Sequence, residues 1–209
     1  IRDQAQEKYG QALTNIVYMG MGEPLLNYAN VLKSIEQITS PEGLGMSPRR
    51  ITVSTAGIAK MIQKLGDDQV KFNLALSLHA ANDTKRNQIM PINESNTLQV
   101  LKAALLYFFE KTGNEITLEY IVFNKFNDTI EDARELYEFA KGIPCKINLI
   151  EYNPIAQSSF VNAEADAIAK FSAFLESKRM IVNIRRSRGR DIDAACGQLA
   201  GKKAPVVDA

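Results

Sequence analysis

Six short apolar, β-branched runs alternate with longer stretches of helical spacing, and no other feature of this chain restricts its fold as strongly. The strand-like runs are Thr14 to Met19, Arg50 to Ser54, Phe72 to Ser77, Ile116 to Phe123, Lys146 to Ile150 and Met180 to Ile184. Between them, helical spacing covers Tyr28 to Thr39, Ile58 to Leu65, Asn82 to Ile89, Leu98 to Lys111, Ile130 to Lys141 and Ala163 to Ser177. Polar pairs precede two of these apolar stripes, Asp128-Thr129 and Asn96-Thr97, as helix caps do. Gly142-Ile-Pro144 and Gly113 supply the stops. Strand-helix alternation of this kind predicts an α/β fold with a parallel sheet and helices outside, either an open doubly wound sheet or a barrel. No linker or low-complexity segment interrupts it, so residues 1–209 read as a single domain.

Ligands of such folds bind beyond the carboxyl ends of the strands, which makes the residues after each strand the informative ones. They are Gly20-Met-Gly22-Glu23-Pro24, Ser54-Thr55-Ala56-Gly57, Ser77-Leu78-His79, Asn124 and Asn127, Glu151-Tyr152-Asn153-Pro154, and Arg185-Arg186-Ser187-Arg188-Gly189-Arg190. Any one of them alone reads as an ordinary turn; together they point to one shared site at one rim. Gly22 and Pro24 bracket Glu23 so as to fix a carboxylate and nearby carbonyls, a grip suited to an ammonium group. The plainer reading of Glu23 is a helix-start acid facing water. Ser54 with Gly57 can hold an anion at the start of the next helix, or serve as a simple N-cap. His79 has no acidic or metal-ligating neighbour in sequence and reads as a hydrogen-bonded rim histidine rather than a general base.

Composition excludes several classes. The two cysteines, Cys145 and Cys196, and the single histidine provide neither a disulfide framework nor a zinc site. No apolar run approaches the roughly 18 residues of a membrane span, and the polar first ten residues carry no signal-peptide core, so a cytoplasmic protein is expected. With a net charge of +1, nucleic-acid affinity has to come from local clustering. The cluster is Lys178, Arg179, Arg185, Arg186, Arg188 and Arg190, with Lys202 and Lys203 beyond Cys196. Phosphates of a structured RNA are its natural partner. A base splayed from such an RNA needs a stacking surface, for which Tyr152 is a candidate.

The stretches YMGMGEPLLNYANV, RRITVSTAGI, LALSLHAANDTKRNQIMP, LEYIVFNKFND, INLIEYNP and NIRRSRGRDIDAACGQLAGK together resemble the radical S-adenosylmethionine methyltransferases that methylate C2 of an adenine in 23S ribosomal RNA and transfer RNA. The resemblance runs from about Asn15 to Lys203. Gly-Glu-Pro is widespread among radical S-adenosylmethionine enzymes, whereas the run from Arg188 to Leu199 is specific. The resemblance implies an incomplete (β/α)6-type radical S-adenosylmethionine barrel. It also implies that Gly22 and Glu23 contact the methionine part of S-adenosylmethionine, Glu23 at its amino group, and that Ser54, Ser77, Leu78, His79 and Asn153 bind the remainder. Cys196 becomes the catalytic methyl carrier: its thiolate is methylated, a radical is formed on that S-methyl group, and the carbon adds to adenine C2. Cys145, at a strand start, is assigned to packing. The small residues Ala194, Ala195 and Gly197 around Cys196 leave room for a base.

One departure stands out. Members of this family hold a 4Fe-4S cluster in a Cys-x3-Cys-x2-Cys loop preceding the Gly-Glu-Pro strand, and this chain has none, nor metal ligands of its own. The expectation is a fragment without the first strand, the cluster loop and an amino-terminal domain, inactive by itself, whose parent also needs an electron donor. Two alternatives stay open: a C8-methylating enzyme of the antibiotic-resistance type, and a non-catalytic RNA- or nucleotide-binding module.

Overall fold

The computed structural model describes residues 2–154 and 159–186. Along the chain run α1 (Arg2–Tyr9), β1 (Ile16–Tyr18), α2 (Tyr28–Thr39), β2 (Ile51–Thr55), α3 (Ala59–Asp67), β3 (Asn73–Ser77), α4 (Asp83–Ile89), α5 (Leu98–Thr112), β4 (Ile116–Val122), α6 (Ile130–Ala140), β5 (Cys145–Glu151), α7 (Ala165–Ser177) and β6 (Ile181–Arg185). All six expected strands form, and the sheet order is β1-β2-β3-β4-β5-β6. A doubly wound sheet requires the order to reverse at a switch point. The sequential order seen here is that of barrel winding. Parallel register pairs Val53 with Tyr18 and with Leu74, and Asn148 with Asn183.

The chain divides into two compact units. The first comprises Ile1–Ser77, Ile92–Thr117 and Gly142–Cys145. Its strand β2 alternates: Ile51, Val53 and Thr55 are buried, whereas Thr52 and Ser54 lie on the half-buried opposite face. Helices α3 and α5 of this unit pack on each other, and Ile62, Leu101, Leu105 and Phe108 on them are fully enclosed. Helix α1 buries no residue and was not signalled by any apolar stripe. Strand β1 is shorter than its apolar run, and Val17 within it is 57% exposed.

The second unit comprises Leu78–Pro91, Leu118–Lys141 and Lys146–Ala209. Its part of β4 is buried on both faces, as a strand covered by helices should be. Tyr120 packs on Phe171 of α7 with ring centroids 5.4 Å apart. Helix α6 begins with a capping box in which Thr129 and Asp132 exchange bonds with each other's backbone.

Candidate functional site

In the first unit, the turn after β1 is built around Gly22 and Glu23. Gly22 sits at φ +84°, a left-handed conformation that a side chain would strain. Glu23 caps the 3-10 turn Pro24–Asn27: its Oε1 accepts from Leu25 N at 3.0 Å. Its Oε2 accepts from Ala56 N, just beyond β2, at 2.6 Å. The carboxylate therefore ties the ends of two adjacent strands together, and each oxygen keeps a further lone pair. It is a helix-start acid, half-buried, with both oxygens accepting from backbone N–H groups.

Ser54 lies within β2, four residues before Ile58, the residue that caps α3 without a side-chain bond. Its hydroxyl lies 3.4 Å from that of Ser77, the last residue of β3. The amide of Ala59 at the start of α3 donates to Asn96 Oδ1 at 2.9 Å. That helix terminus thus has a resident acceptor, and Ser54 is not its cap. Gly22, Glu23, Ser54 and Ser77 are all in this unit, at the carboxyl ends of their strands.

A cavity of about 450 Å³ in the same unit is lined by Arg2, Leu13, Leu44, Met46, Ser47 and Arg50, among others. Leu13 and Arg50 precede β1 and β2, so it lies at the amino ends of those strands, away from the candidate residues. Cys145, first residue of β5, is half-buried, and burial pushes its thiol up to about 12 against the opposing effect of Lys102. It is a packing residue with no thiolate to offer near neutral pH.

Leu78, His79 and Asn153 belong to the second unit. Leu78 is fully buried; its N–H donates to the Glu119 carbonyl at 2.9 Å and its own carbonyl accepts from the buried Arg86 Nε at 3.0 Å. His79 adopts φ +57°, unusual for a residue with a side chain. Its Nδ1 accepts from Ile121 N at 3.1 Å, which places the ring proton on Nε2. Burial, with Arg86 next in effect, pushes the imidazole down to about 3. His79 is accordingly a neutral donor at Nε2 and no base at Nδ1. Asn153 is buried after β5.

Asn127 organises this end of the unit. It is fully buried, with Oδ1 accepting from Phe123 N at 2.7 Å and Nδ2 donating to the carbonyls of His79 at 2.6 Å and Ile121 at 2.8 Å. The sequence marked it only as polar; two of its bonds depend on the path of the chain after β4, and the third reaches His79, 48 positions away.

Two expectations change. Tyr152 is 7% exposed and its ring lies 4.9 Å from that of Phe123, in a cluster with Phe126 and Phe160. A stacking surface needs an open ring face, and this ring spends its own on the cluster. Among the described residues, the basic run also falls into two groups. Lys178 and Arg179 precede β6 and Arg185 ends it, separated by about 13 Å of extended strand. Lys178 Nζ instead stands over the rings of Tyr137 and Phe174 at 6.0 and 5.7 Å. Cys196, Arg188, Arg190, Lys202 and Lys203 lie outside the described residues. Among the described residues no three His, Cys, Asp or Glu side chains form a group able to hold a metal ion, and no helix is long and apolar enough to cross a membrane.

No protein-family model matches the chain. It is 65% identical over 97% of its length to a probable dual-specificity RNA methyltransferase RlmN of Cytophaga hutchinsonii, and 55% identical over 98% to that of Christiangramia forsetii. It spans only 56% and 58% of those two proteins. The crystal structure of a radical SAM methyltransferase from Sphaerobacter thermophilus superposes with a TM-score of 0.90 at 38% identity, covering 94% of this chain and 57% of that one. A domain of a pyruvate-formate lyase-activating enzyme from Bacteroides vulgatus shares the fold alone, with a TM-score of 0.64 at 13% identity.

Proposed function

Because the chain belongs to the family of RlmN-type radical SAM methyltransferases, we propose that it is the S-adenosylmethionine-binding part of an enzyme that methylates C2 of an adenine in 23S ribosomal RNA and transfer RNA. The observation that carries this reading is 65% identity across 97% of the chain, a span that takes in every strand end of the candidate site. The parent protein acts in the cytoplasm and draws electrons from a reductant partner.

The residues present suit the cofactor. Glu23 has lone pairs left for an ammonium group, Ser54 and Ser77 present paired hydroxyls, and His79 presents a neutral N–H donor. Gly22, Leu78 and Asn153 complete the set, Leu78 through its neighbours' positions since its own backbone groups are occupied. When bound, S-adenosylmethionine supplies the transferred methyl group and the adenosyl group of radical chemistry. Glu23 and the backbone of its turn orient the methionine end. His79 holds an acceptor atom without exchanging a proton, because its imidazole stays neutral. Cys196 is the methyl carrier in this reading.

A 4Fe-4S cluster does not suit the described residues. Cys145 is the one cysteine among them, and its thiol is held protonated. Thiolate ligands for a cluster have to come from other segments of the parent protein.

The test is the full reading frame, expressed anaerobically and reconstituted. Cys196→Ala should abolish C2 methylation of the RNA base as read by mass spectrometry, while Cys145→Ala should leave it largely intact. Equal loss in both variants, or a C8 product from the wild type, contradicts the proposal.

A further inference from the structure

The second unit contains a buried carboxylate outside the set of residues assigned to the cofactor. Glu119, in β4, is 7% exposed. Its Oε1 accepts from Asn148 Nδ2 of β5 at 2.8 Å. Asn148 is itself 2% exposed, and its Oδ1 accepts from Asn183 Nδ2 of β6 at 3.2 Å. A row of polar side chains thus crosses three neighbouring strands and ends on a carboxylate. The other oxygen of that carboxylate has no hydrogen-bond or ion-pair partner among the described residues.

Oε2 of Glu119 is not among the fully enclosed polar atoms that lack a partner, so it keeps access to open space although the residue is 7% exposed; an apolar residue would otherwise suit the interior of a strand better. The asparagine row fixes the direction in which the open oxygen is offered. Burial pushes the Glu119 carboxyl up, and the Asn148 bond, Arg185 and Lys146 act against that, so positive charge is already supplied there. What is missing is a neutral donor. An exocyclic amino group is a pure donor and matches an oxygen that only accepts, whereas a hydroxyl also requires a donor of its own.

We propose that Glu119, braced by Asn148 and Asn183, is a ligand-binding residue whose open oxygen accepts an N–H from the amino edge of an adenine. This rests on the adenine-methylation reading, which supplies two such edges, one on the cofactor and one on the target base.

The test uses Glu119→Gln in the intact reading frame. Asn148 donates to Oε1, so the glutamine must place its carbonyl there and its amide nitrogen where the open acceptor stood. Donor then meets donor, and the affected ligand should weaken by about tenfold or more. Two binding arms separate the sources. One is equilibrium dialysis of S-adenosylmethionine. The other compares an RNA hairpin carrying the target adenosine with the same hairpin carrying purine riboside, which lacks the amino group. Weaker cofactor binding assigns Glu119 to the cofactor's adenine; loss of preference for adenosine over purine assigns it to the target. A variant that melts like the wild type and is unchanged in both arms overturns the proposal. If the glutamine variant does not fold, Asn183→Ala on strand β6 is read in the same arms, with a few-fold weakening expected and no change overturning the idea. A wild type that binds neither ligand overturns the adenine reading, and the proposal with it.

Discussion

Glu23 and His79 were both legible as rim residues, but what each side chain does there was not. A carboxylate next to a glycine in sequence does not reveal that its second oxygen will meet Ala56 N, because that bond joins two strand ends more than thirty positions apart. The state of His79 was equally hidden, since Ile121 and Arg86 reach it only through folding. Its folded-state pKa lies near 3 against an ordinary value of 6.5. Between those values the unfolded chain binds a proton that the folded one refuses, so stability should fall as pH drops below 6.5, by up to about 1.4 kcal/mol per pH unit. Urea unfolding at pH 7, 6 and 5 measures this. His79→Gln should flatten the decline relative to the wild type, and parallel slopes would exclude His79 as its source. Asn127→Ala should be more damaging, since it leaves the Phe123 amide and two carbonyls without their bonds. A loss of about 3 kcal/mol or more is expected in the same measurement.

Elements were more legible than residues where the signal was local. Asp128-Thr129 correctly marked the start of α6, and the capping box there completes a local rule. Thr129→Ala should cost about 1 kcal/mol in thermal or urea unfolding, with little change in the denaturant slope. Asn96-Thr97 marked a true helix start as well, but Asn96 sends its side chain to Ala59 of α3 and leaves its own helix to Thr97. Sequence proximity suggested the nearer helix; the packing of α3 against α5 decided for the farther one. The described part of the basic run divides for the opposite reason. Charge counted along the chain takes no account of a strand's rise, and β6 carries Arg185 and Arg186 away from Lys178 and Arg179. Neutralising Arg185 and Arg186 in the full-length enzyme should weaken RNA binding and reduce the salt slope by about 0.7 to 0.9 for each phosphate no longer neutralised. The Lys178/Arg179 double variant should leave both nearly unchanged in the same titration.

For the whole molecule, strand-helix alternation specified the class, whereas the choice between a doubly wound sheet and barrel winding needed the strand order. Periodicity records which residues are buried; it carries no information about which strand lies beside which. The resemblance supplied that choice in advance, and the match to the Sphaerobacter thermophilus enzyme agrees with it. The Glu119 row escaped notice for a related reason: its three members lie far apart in sequence and become neighbours only through the register of β4, β5 and β6. The chain's solitary histidine gives the molecule a practical property. With one imidazole among 209 residues, the Hε1 proton of His79 gives a single line downfield of the Phe and Tyr ring protons once the amides are exchanged for deuterium. A ligand arriving beyond β3 can therefore be followed by that line, with no labelled side chain or attached dye.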